Sequence, residues 1–173
     1  MAKVRHLALM LPLLLAGVAP ARDGLGFDAV LIGAFPVQGY KQTVSPGGGV
    51  LAGFELPIFS PLSLTARSGA VAHLTRKDSW RLQVPAFAGA KLISQSTSLY
   101  LSGEAGPVLT RDNYTGDDSA RSSHSTRPIA WGLGIGSAID EHDLRISLHF
   151  WDSDHPRETM TFGISLAILY LGD

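Results

Sequence analysis

The chain has 173 residues, 45% of them hydrophobic, with 14 Lys and Arg against 15 Asp and Glu for a formal charge of -1, and no cysteine. Without a basic block it offers nothing to a nucleic acid, and without thiols it is not a small disulfide-stapled scaffold. After the first segment no stretch is continuously apolar over the roughly 20 residues that a membrane-spanning helix needs.

The N-terminus reads as an export signal. Lys3 and Arg5 form a charged region, Leu7 to Val18 an apolar one, and Ala19-Pro20-Ala21 a small-residue cleavage site. Residues 1–21 are therefore expected to be a signal peptide, and 22–173 one domain, too short for a barrel plus a second periplasmic domain. Loss of Lys3 and Arg5 takes the formal charge from -1 to -3.

From there the apolar spacing is two rather than three or four, the period of strands. Eight strands are predicted in chain order, at 27–38, 49–59, 62–74, 80–92, 98–109, 129–139, 142–151 and 160–171. Each is near the 9 to 11 residues that a tilted strand needs to cross a bilayer. The last has Met160, Phe162, Ile164, Leu166, Ile168 and Tyr170 on one parity, with mostly small residues on the other.

The connections alternate. Those after the second, fourth and sixth strands are short (60–61, 94–97, 140–141); those after the others are polar and mostly longer (41–48, 75–79, 110–127, 152–157). Short periplasmic turns and longer extracellular loops are the habit of transmembrane barrels, and this assignment requires an even strand count and a periplasmic N-terminus. The 110–127 connection is expected to lack regular structure.

The parity opposite the apolar face decides which side meets lipid. It carries small residues such as Ala130, Gly132, Gly134, Gly136, Gly163 and Ser165, which suit a crowded interior better than a solvated surface. Among them stand Glu55, Arg67, Arg81, Lys91, Glu104, Arg145 and His149, expected to form an ion network that plugs the lumen, because a buried charge without a partner costs several kcal/mol. Glu55 is expected to face Arg67 across the 60–61 turn, and Lys91 to neighbour Glu104 across the next. The apolar parity would face lipid, with Trp80, Trp131 and Phe150 at outer strand ends and Phe27 and Tyr170 at inner ends as an aromatic girdle.

In this pattern, across the whole mature chain, the sequence resembles the small eight-stranded bacterial outer-membrane proteins, such as the transmembrane domain of outer-membrane protein A and the outer-membrane protein X group. The resemblance implies an all-β, eight-stranded antiparallel up-and-down transmembrane β-barrel in the outer membrane. Expected partners are outer-membrane lipids and lipopolysaccharide, the barrel assembly machinery and an extracellular ligand at the outer loops; the chain is expected to be a monomer. Two departures stand out: residues 171–173 follow Tyr170 where the usual insertion signal ends on its aromatic, and no peptidoglycan-binding domain follows the barrel.

Four segments carry residues of catalytic or ligating type. His149 lies near where outer-membrane lipid A deacylases carry a His-x-Ser; here the residue two after it is Trp151, while Ser147 shares its face from two before. Asp152, Asp154 and His155 add metal-type ligands in the last outer loop, but their spacing reads as solvated loop charge. Residues 112–118 fail as a calcium loop at Tyr114 and Gly116, and Gly47-Gly48-Gly49 lacks the Lys of a phosphate loop and reads as an outer turn. No metal or cofactor is expected. The leading expectation is a non-enzymatic barrel acting through its loops; the alternatives are a lipid A-modifying hydrolase and a narrow pore or carrier.

Overall fold

The computed structural model describes residues 25–42, 44–75, 79–94, 96–115, 121–139 and 142–171. The expected signal segment 1–21 lies outside them. Alternation of period two dictates strands, and the strands are β1 (Gly26–Pro36), β2 (Val44–Phe59), β3 (Leu62–Thr75), β4 (Trp80–Ile93), β5 (Leu99–Thr115), β6 (Arg121–Thr126), β7 (Ile129–Ile139), β8 (His142–Phe150) and β9 (Met160–Leu171). One short 3-10 turn, Gln38–Gln42, follows β1.

Every pairing is antiparallel, in the order β4-β3-β2-β1-β9-β8-β7-β5, and β4 pairs with β5 to close the ring. β6 pairs only with β5. The wall is therefore the predicted closed, eight-stranded, up-and-down barrel. Closure removes the unpaired edges that an open sheet would present.

The 110–127 connection is not irregular, as the sequence suggested. Its first part continues β5 and its second part is β6, forming a hairpin from Thr110↔Thr126 to Thr115↔Arg121. The same register continues through Pro107↔Ile129 into the β5–β7 pairing, so β6 and β7 are one strand interrupted at Arg127-Pro128. Proline lacks the donor that a ladder needs, although the carbonyl of Pro128 still accepts from the Val108 N–H at 2.9 Å.

Gly47-Gly48-Gly49 is not an outer turn either. All three glycines lie in β2, with Gly47 opposite His73 and Gly49 opposite Val71. A Cβ on Gly49 would stand 2.0 Å from the Ala70 carbonyl oxygen, so glycine is what lets these strands approach. β1 ends two residues early, at Pro36, where the chain turns across the barrel mouth.

Parity sorts the side chains as the sequence suggested for the wall. Leu31, Val50, Leu64, Leu101, Leu133, Ile135, Ile146 and Ile164 are all exposed, while the alternate positions of the same strands are mostly buried. The ladder is interrupted at the closing seam, where a register shift between Ala29 and Val30 leaves Ile168 without a backbone partner in β1.

Candidate functional site

The interior is built in tiers by inward positions of all eight wall strands. At the inner end the Lys91 ammonium donates to Glu55 and to Asp143, each at 3.0 Å, tying β4 to β2 and β8. The Tyr100 hydroxyl donates to the other oxygen of Asp143, and its ring lies 4.1 Å under the Lys91 nitrogen. Both the cation and the aromatic face are used, which offsets the cost of burying an ammonium.

In the middle tier Glu104 is the hub. It accepts from Arg145 at 2.9 Å, with Arg67 at 3.8 Å and the His149 ring at 3.7 Å. Arg67 also stands 3.7 Å from Asp28. Neither pair expected across a hairpin is directly opposed; each is diagonal, two positions off. A bulge between Pro57 and Phe59 shifts the register, so Arg67 faces Gly53 and Glu55 faces Thr65; across the next turn Lys91 faces Ser102 and Glu104 faces Gly89. In a lumen this narrow the long side chains find partners across the interior instead.

Above the hub the interior turns apolar. His149, Trp151 and Phe87 stack nearly parallel, with centroids 5.4 Å apart for the first two and 6.1 Å for the last two. The Trp151 indole N–H donates to Thr161 at 2.9 Å. Val71, Val108, Ala34 and Ala130 pack around them, all fully buried.

The outermost tier is Arg81 on Asp112, a two-point pair at 2.5 and 2.8 Å. Tyr40, delivered by the 3-10 turn, covers it: its hydroxyl lies 3.3 Å from Arg81, and its ring meets His73 edge-on at 5.9 Å. Burial pushes the Tyr40 phenol up, against the pull of Arg81, so the hydroxyl stays neutral.

Inward glycines supply the room. A Cβ on Gly134 would stand 2.4 Å from the Arg145 guanidinium, one on Gly136 2.3 Å from the Tyr100 ring, and one on Gly53 1.7 Å from the Asp28 carboxylate. Each glycine thus leaves a recess for a polar side chain on a neighbouring strand.

All seven polar residues singled out in the sequence, Glu55, Arg67, Arg81, Lys91, Glu104, Arg145 and His149, carry side chains in these tiers. Asp28, Tyr40, Tyr100, Asp112 and Asp143 were missed. Asp112 and Tyr100 share the parity of Glu104 on β5, and Asp143 that of Arg145 on β8, so extending the parity would have found them. Tyr40 sits on a turn, where parity says nothing.

Of the aromatic positions, Phe27 and Trp80 are exposed at strand ends, Phe27 in edge contact with Phe54 at 5.3 Å. Trp131 and Phe150 stack at 4.0 Å on neighbouring strands. The backbone of Tyr170 pairs with Asp28, and its side chain lies outside the described residues.

One arrangement has the atoms of a hydrolytic triad. Ser147 Oγ is 2.8 Å from His149 Nε2, and His149 Nδ1 is 3.7 Å from Glu104. Its surroundings do not suit acyl transfer. Ser147 is 3% exposed, and Phe87 and Trp151 lie over the imidazole, leaving no approach for an ester. Asp152 and His155 meet each other at 3.3 Å in the last outer loop, while His149 is engaged by Ser147.

No protein-family model and no curated protein matches the sequence. Solved structures do resemble it. Ail, the attachment invasion locus protein of Yersinia pestis, aligns over 86% of this chain and 97% of its own with a TM-score of 0.58 and 11% identity. Ail in complex with the heparin analogue sucrose octasulfate aligns over the same shares, with a TM-score of 0.55 and 9% identity. Neisserial surface protein A aligns over 83% of this chain and 93% of its own, with a TM-score of 0.50 and 12% identity. At such identities the likeness is one of fold, that of the small eight-stranded outer-membrane barrels.

Proposed function

We propose that this chain is a monomeric bacterial outer-membrane protein with a closed interior, exported through a cleaved segment 1–21, whose role is structural and surface-interacting rather than enzymatic. The observation that carries this reading is the inversion of polarity: Lys91, Arg145 and Glu104 are buried while Leu133, Val50 and Ile129 are more than half exposed. In water such a wall would be an aggregation surface; in hydrocarbon it is the ordinary arrangement.

The ion-paired tiers and the aromatic stack support an interior that conducts nothing. The lipid-facing wall and aromatic side chains near strand ends fit contact with outer-membrane lipids and lipopolysaccharide, reached through the barrel assembly machinery. The β5–β6 hairpin, standing beyond the wall with the connections after β1 and β8, is then the surface offered to an extracellular ligand. The complex of Ail with a heparin analogue makes a sulfated saccharide the first ligand to try.

Two measurements test the reading. The purified protein should fractionate with membranes, migrate differently on a gel before and after boiling, and give no steady conductance in a planar bilayer. A protein that stays soluble without detergent, or a steady open current, would overturn it. Retention on immobilised heparin, lost on replacing residues 114–122 by a short Gly-Ser turn, would identify the hairpin as the contact surface; equal retention would remove it.

A further inference from the structure

We propose that the outer face of the barrel binds one anionic membrane lipid, its headgroup phosphate held between Arg111 on β5 and Arg127 and an acyl chain lying in a groove below them that crosses β5, β4 and β3. The proposal rests on the membrane reading above and adds a specific site to it.

The two arginines differ from the other strand cations. Arg67, Arg81, Lys91 and Arg145 point inward and each has a carboxylate partner. Arg111 and Arg127 are exposed on the wall's outer side, and among the described residues neither has an ion-pair partner. The shared register brings them together: Arg111 faces Ser125, and Arg127 follows two residues later at the interruption between β6 and β7, where continuation of the register makes it a diagonal neighbour of Arg111, its Cβ less than about 7 to 8 Å away. Two guanidinium groups at that spacing can both donate to one phosphate, the anion whose geometry they match.

Their depth fits a headgroup. Directly below lie Leu109 and Ile129, both exposed, and Trp80, opposite Asn113 on the next strand and itself exposed, stands beside the pair as an interfacial aromatic would. An outward arginine is costly at the bilayer centre and nearly free at the interface, where an anionic leaflet attracts it.

The groove is a separate observation. It has a volume of about 530 Å³ and is floored by Ala66, Ser68, Ala86, Ala88 and Ala105, with Pro107 on its rim. Toward their ends the same strands present Leu64, Leu74, Leu101 and Leu109 outward. The cause is local: Pro85 and Pro107 remove ladder donors, and the β3–β4 and β4–β5 pairings both skip positions beside them. A Cβ on Gly106 would stand 2.0 Å from the Ala86 carbonyl oxygen, so the strands pinch together there. From Arg111 down β5 to Ala105 is about 20 Å along the strand, or about 15 Å of depth at the usual strand tilt, the half-thickness of the hydrocarbon core. One lipid can therefore occupy both features.

The test uses the full chain in nanodiscs of equal phosphatidylglycerol and phosphatidylcholine, with retained lipids counted by native mass spectrometry. The unmutated protein should keep one phosphatidylglycerol in preference to phosphatidylcholine. R111Q/R127Q should lose that preference by about tenfold or more, since each basic residue near an anionic leaflet is worth about fivefold. A88L, which fills the groove and leaves both arginines, should reduce retention of either lipid, while I146A on the far wall should change nothing. Added glycerol phosphate, which has no chains, should not compete. Equal retention in all variants, or displacement by glycerol phosphate, would overturn the site. A protein that does not enter nanodiscs would overturn the membrane reading itself.

Discussion

Lys91 Nζ and a carboxylate oxygen of Asp143 meet at 3.0 Å across the floor of the barrel, although 52 positions separate them in the chain. Because Glu55 shares the same ammonium, removing the cation leaves two buried carboxylates facing each other. K91M should destabilise the barrel by about 3 to 5 kcal/mol, read as a lower midpoint of urea unfolding in detergent. The triple variant K91M/E55Q/D143N should recover most of the loss; if K91M alone is neutral, the contact is not structural.

The wall should respond to charge in the direction that membranes dictate. Leu133 is 57% exposed in the middle of β7, so in water L133R would be neutral or would help solubility. In a bilayer it should cost about 2 to 4 kcal/mol, measured as a shift of folding equilibrium into lipid vesicles. An unchanged equilibrium would contradict a lipid-facing wall.

Glycines at close approaches should not accept side chains, whereas those with space should. A Cβ on Gly106 would meet backbone at 2.0 Å, while one on Gly103 would meet only a Leu133 methyl at 3.6 Å. G106V should abolish the heat-modifiable form and G103A should keep it. Equal behaviour of the two would mean that strand approach does not depend on glycine there.

The Ser147, His149 and Glu104 arrangement gives the enzyme alternative a direct trial. Ser147 should resist an organophosphate that labels activated serines, and S147A should lose only about 1 kcal/mol with its 2.8 Å hydrogen bond. Labelling at Ser147, or lipid A losing an acyl chain in the presence of unmutated protein but not S147A, would favour the hydrolase.

How much could be read beforehand follows from what alternation encodes. Period two in Met160, Phe162, Ile164 and Leu166 fixes strand type and the two faces, and repetition of that pattern gives the wall count. Register is another matter. Symmetry about Ser60-Pro61 sets Glu55 against Arg67, but one bulged position near Ile58 shifts the rungs. Nor does local pattern foretell contacts across a closed interior, such as Arg145 with Glu104, because they depend on barrel closure. The β6 segment escapes the pattern for a different reason: its Ser, His and Thr residues carry no apolar alternation, and His124, Ser125 and Thr126 are all exposed, so no buried face imposes one.

The interruption at Arg127-Pro128 divides the chain into a part whose dimensions are constrained and a part whose dimensions are free. Below it, any inserted residue would slide β7 against both β5 and β8 and turn its faces inside out. Above it, β6 answers to β5 alone, and past Asn113, the last β5 residue paired with β4, rungs can be added to or taken from the hairpin in matched pairs without moving a wall residue. The molecule's reach away from its scaffold is thus an adjustable quantity, separable from the architecture that supports it.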